Sequence, residues 1–99
     1  MAKKYSLKLF IYSPGQEMPE RVGMVEKLRS VLDEKHQGQY DLEIIDVMKN
    51  PELASKEGVM TTPTLLRVLP EPKKKLVGDF AYGQNISSIH DLMKPEGET

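Results

Sequence analysis

The sequence predicts an α/β domain whose elements follow the order β-α-β-α-β-β-α. Three observations predict it. A period-two apolar segment opens the chain, a segment of helical period follows it, and Pro and Gly punctuate the remainder into short elements. The 99 residues are enough for a single domain, 1–94, with a tail over 95–99 expected to be disordered. Apolar residues make up 38% and charged residues 29%, the balance of a chain that folds.

Tyr5 to Tyr12 reads as the first strand, with Tyr5, Leu7, Leu9 and Ile11 on one face and Ser6, Lys8, Phe10 and Tyr12 on the other. Ser13-Pro14-Gly15-Gln16 then breaks the chain. From Pro19, a residue suited to a first helical turn, Val22, Val25, Leu28 and Leu32 recur at helical spacing, and Gly38 stands where a C-terminal cap belongs. Tyr40 to Val47 is a second strand, with Leu42, Ile44 and Ile45 making it apolar on much of both faces. Two strands joined by one long helix form a parallel, right-handed β-α-β unit.

The second half is less regular. Asn50 and Pro51 read as an N-cap and first-turn proline of a short helix that ends by Gly58. Thr64 to Leu69 is a strand, Pro70-Glu71-Pro72 a turn, and Leu76-Val77-Gly78 a short returning arm. Ile86, Ile89 and Met93 are spaced for a final helix.

Composition removes several functions. The chain has no cysteine, so disulfides, thiolate catalysis and Cys-based zinc sites are excluded together. A formal charge of −1 argues against nucleic acid as a partner, and no apolar run reaches the length of a membrane span. The N-terminal stretch lacks a signal-peptide pattern, so a soluble, cytoplasmic protein is expected. His36 and His90 lie in different helices without ligand spacing and read as surface histidines. Ser87-Ser88 lacks a nucleophile elbow, and Gly15, Gly23 and Gly38 are isolated rather than a phosphate loop. No catalytic residue, metal site or cofactor is expected. Asp46 and Asp79, at strand ends, read as structural aspartates that bond nearby backbone amides. Lys73, Lys74 and Lys75, with Arg67 near them in sequence, form a basic cluster that reads either as a solvated strand edge or as a partner-binding patch.

The element order is that of thioredoxins, with Ser13-Pro14-Gly15-Gln16 where their redox cysteines would stand. Thr62-Pro63-Thr64 matches the proline turn before the third strand of that fold, in which the X-Pro bond is usually cis. The succession Ile45-Asp46-Val47-Met48-Lys49-Asn50-Pro51-Glu52-Leu53-Ala54, Thr62-Pro63-Thr64-Leu65, Val68-Leu69-Pro70-Glu71-Pro72 and Gly78-Asp79 resembles, in order and spacing, the motifs of the KaiB family.

That resemblance implies a non-enzymatic protein that docks on the hexameric ATPase and autokinase KaiC and shifts its phosphorylation state, in a circadian or a stress-adaptation setting. Implied further partners are a KaiA-like activator or a histidine kinase, with homo-oligomers, dimers or tetramers, as the self-associated form. It also implies partner contacts from Arg67, Lys73, Lys74 and Lys75, and an alternative ground-state arrangement of the second half. The structural positions it marks are Asp46, Asn50, Pro51, Thr62, Pro63, Pro70, Pro72, Gly78 and Asp79. The sequence departs from clock members in a longer loop from Tyr12 to Pro19, in Gly23 and Gly58 where basic residues are frequent, and in a short acidic tail. A different reading is a sensor domain similar to the N-terminal domain of the SasA histidine kinase; a degenerate thioredoxin serving as a redox or chaperone subunit is disfavoured by the missing cysteines.

Overall fold

The computed structural model describes residues 4–12, 19–78 and 86–94. The turn at 13–16, the loop that contains it, Asp79 and the tail at 95–99 lie outside the described residues. The elements are β1 (Tyr5–Ile11), α1 (Pro19–His36), β2 (Tyr40–Asp46), α2 (Pro51–Lys56), β3 (Thr64–Leu69), β4 (Lys74–Val77) and α3 (Ile86–Met93), in the expected order. They build one mixed sheet of order β2-β1-β3-β4. β1 runs parallel to β2 and antiparallel to β3, and β4 returns antiparallel to β3. The returning arm is longer than expected and starts at Lys74, so two of the three lysines belong to an edge strand.

Alternation along β1 sends its side chains into two separate cores. Tyr5, Leu7, Leu9 and Ile11 pack with Leu65 of β3, with Leu28, Val31 and Leu32 of α1, and with Ile89, Leu92 and Met93 of α3. Phe10 turns to the opposite face, where it meets Ile45, Leu66 and Ala54 of α2. The sheet is therefore a middle layer, with α1 and α3 on one face and α2 alone on the other. β2 differs from expectation. It is an edge strand whose Asp41 and Glu43 are exposed, and Ile45 is its one fully buried residue.

Local chemistry fixes the connections. Gly38, with φ of +78°, closes α1, while the Gln39 amide donates to the His36 carbonyl at 2.9 Å. Asp46 Oδ1 accepts the Met48 amide at 2.9 Å, the turn expected of a strand-end aspartate. Asn50 stands at the N-cap of α2, yet its side chain makes no cap bond; Nδ2 donates back to the Asp46 carbonyl at 3.2 Å instead. Pro51 opens the helix as expected. The Thr64 hydroxyl donates to the Thr61 carbonyl at 2.7 Å, and the Gly78 amide to the Pro63 carbonyl at 3.2 Å. The Thr62-Pro63 bond is cis, as are Leu69-Pro70 and Glu71-Pro72.

Arg67 is the one charged side chain buried completely among the described residues. Its position in β3 shares the face of Leu65, directed at the α1–α3 layer. Nη1 donates to the carbonyls of Leu92, at 2.8 Å, and of Lys94; Nη2 donates to the Pro72 carbonyl at 2.9 Å. One guanidinium thus ties the C-terminal end of α3 and the β3–β4 turn to the sheet. The expectation that Arg67 meets a partner does not hold in this fold, because the side chain has no exposed surface.

The histidines also differ from expectation. His36 is half-buried, with Tyr5 set edge-on to its ring at 5.0 Å. His90 lies where α3 meets α1, its Nε2 3.7 Å from Glu34 Oε2, and its Nδ1 is buried with no partner among the described residues. Burial holds the His36 pKa below its ordinary 6.5, and the nearby charges of His90, Lys4 and Lys35 act in the same direction against a hydrogen bond with Gln39.

Two outcomes follow. Arg67→Lys keeps the charge but loses the fork that serves separated carbonyls, so it should cost about 2 kcal/mol in urea unfolding. For His36, the unfolded chain binds the proton more readily than the folded one. Stability is therefore complete above the unfolded pKa near 6.5 and declines as the pH falls below it. A urea-midpoint series across that window should show the decline in the parent chain and a smaller one in His36→Gln.

Candidate functional site

The α1–α3 side of the sheet is closed by two helices, whereas among the described residues the opposite side carries only one helix, the six residues of α2. Of those six, Ala54 alone is buried. Next to α2, chain order and strand direction bring four apolar side chains to one end of the sheet. Tyr12 follows β1, Met48 follows β2, Met60 precedes β3, and Val77 ends β4 opposite Thr64. Each is more than half exposed, and Met60 reaches 93%. Exposed apolar residues gathered at one end of a sheet are the mark of a docking surface.

Charge surrounds the same face. Glu57, just past α2, has its carboxyl held below the ordinary range first by a hydrogen bond from Lys73; burial opposes this, and the nearby charges of Lys73, Lys8 and Lys56 each add a smaller lowering effect. Lys73 Nζ stands 3.0 Å from Glu57 Oε1, and Lys75 Nζ donates to the Gly58 carbonyl at 3.1 Å. Several lysines thus gather as a rim about a single carboxylate, on a face to which β2 also turns the exposed Asp41 and Glu43.

The basic cluster read from sequence divides three ways. Arg67 is internal. Lys73 and Lys75 reach toward α2. Lys74 pairs with Arg67 in register and so belongs to the α3 face, where with Ser88 and Asp91 it lines a shallow groove of about 270 Å³. Lys8 and Lys56 join the rim although neither is close to the cluster in sequence. Periodicity read Lys8 only as a residue on the second face of β1, and Lys56 gave no signal. Met48 and Met60 were detectable only as apolar residues in turn segments. The structural positions Asp46, Asn50, Pro51, Thr62, Pro63, Pro70, Pro72 and Gly78 lie in the connections around β3 and α2, and their neighbours are backbone groups rather than a shared cavity. Among the described residues there is no cluster of three or more metal-ligating side chains and no helix long and apolar enough to cross a membrane.

Comparison with known proteins agrees with this geometry. Among solved structures, the N-terminal domain of SasA from Synechococcus elongatus superposes with a TM-score of 0.74 at 21% identity, covering 100% of this chain and 92% of that one. Thioredoxin 1 from Thermosipho africanus superposes with a TM-score of 0.61 at 22% identity, over 87% of this chain and 91% of that one. The fold is thus thioredoxin-like, in a chain without cysteine. The circadian clock oscillator protein KaiB of Microcystis aeruginosa is 38% identical over 95% of this chain and 88% of its own length. The protein of the same name from Gloeothece citriformis is 37% identical over 95% of this chain and 86% of its own. Residues 8–92 match the KaiB domain family, and with relatives this similar over nearly the whole length, the chain belongs to the KaiB family of clock regulatory proteins.

Proposed function

We propose that this chain is a non-enzymatic, cytoplasmic regulatory protein that docks through its α2 face on a KaiC-type hexameric ATPase and shifts that enzyme's phosphorylation state. The observation that carries the reading is the exposed apolar set Tyr12, Met48, Met60 and Val77 at one end of the sheet, next to the face that, among the described residues, only one short helix covers. Apolar side chains supply contact area for a partner, and Lys8 and Lys56 supply local attraction to its acidic groups. The lack of cysteine removes the thiol chemistry of the thioredoxins whose fold it shares, leaving binding as the use of that surface. A sensor domain like the N-terminal domain of SasA is the second reading, favoured by the superposition over the full chain.

The test is a binding titration of purified chain against a KaiC-type ATPase from the same genome. Met60→Asp replaces a side chain with almost no internal contacts, so its urea midpoint should match the parent while affinity falls about tenfold. Lys56→Glu should weaken association at low salt and less so at high salt. Unchanged affinity in both variants would remove this face from docking.

A further inference from the structure

α2 has little of its own to hold it in place. Six residues are too few to be helical by propensity alone, and only the buried Ala54 and the partly buried Leu53 anchor it in the core. Its C-terminal end is fastened by the hairpin instead. Lys73 Nζ contacts both carboxylate oxygens of Glu57, at 3.0 and 3.4 Å. Lys75 Nζ reaches the Gly58 carbonyl at 3.1 Å. Gly58 makes that approach possible: its φ is +71°, and a Cβ there would stand 2.8 Å from the Lys75 ammonium. The Glu57 side chain is 11% exposed while that of Lys73 is 52% exposed, so the carboxylate is the packed member and the lysine comes to it.

We infer that Lys73 and Lys75 are positioning residues: they clasp the end of α2 to the β3–β4 hairpin and serve docking by fixing the shape of the α2 face, not by touching the partner. The inference rests on the docking role proposed above, and it reverses the sign expected for one substitution. If Lys73 met an acidic partner directly, Glu57→Gln would free the lysine and tighten association. With the clasp, Glu57→Gln loosens α2 and weakens association.

The experiment measures two quantities on the full chain, for the parent, Glu57→Gln, Lys73→Glu and the swapped pair Glu57→Lys with Lys73→Glu. The first is hydrogen exchange of the Glu57, Gly58 and Val59 amides, which donate to the carbonyls of Leu53, Ser55 and Ala54. The second is affinity for the KaiC-type ATPase. Both single variants should exchange about two- to fivefold faster and bind weaker by a similar factor, the range of an exposed ion pair, with the swapped pair restored toward the parent. Unchanged exchange in Glu57→Gln, or tighter binding by it, would overturn the clasp. A parent chain that does not bind the ATPase overturns the docking role alone, and the exchange measurement then decides the clasp by itself.

Discussion

A guanidinium with no carboxylate partner among the described residues organises the second half of this protein. Arg67 is fully buried in β3, and the groups that satisfy it are carbonyls of Leu92, Lys94 and Pro72. A buried charge is costly without acceptors, so α3 must end beside β3 and the proline-flanked turn must fold back toward it to serve both Nη atoms, while Nε is left without a partner among the described residues. With α3 held there, Ile89, Leu92 and Met93 complete the core that β1 shares with α1. Any rearrangement of the second half would have to break all three bonds and find new acceptors for the same fork.

The asymmetry of the two layers follows from that anchoring. One face of the sheet is sealed by α1 and α3. Among the described residues the other is covered by α2 alone, and Met48 and Met60 are exposed in the connections on either side of that helix in the chain. Under the role proposed above, a shared frame serves recognition at this end of the sheet through exposed apolar side chains, as expected when sites are grafted on a common fold.

Much of this was legible in the sequence, for identifiable reasons. The two-faced pattern of β1 announced both cores, because alternation along one strand is a local signal. Asp46 and Gly38 behaved as read, since turn and cap chemistry act over a few residues. Arg67 was misread because sequence proximity placed it with Lys73–Lys75, whereas the pleat turned it to the other face and α3, far along the chain, covered it. For His90 the surface reading failed for the same cause, since the contact of α3 with α1 is made between helices distant in sequence; His36 is covered instead by Tyr5 of β1. The lysine rim shows the converse, with Lys8 and Lys56 brought beside Glu57 from separate elements.

The burial of Arg67 is the point on which this account turns, and nuclear magnetic resonance of the arginine side chains tests it directly. Burial predicts a resolved Arg67 guanidinium signal, protected from solvent exchange and in cross-relaxation contact with Leu92, while the exposed Arg29, hydrogen-bonded at the surface to Tyr40, exchanges much faster. An Arg67 signal that exchanges as fast as that of Arg29 would contradict it.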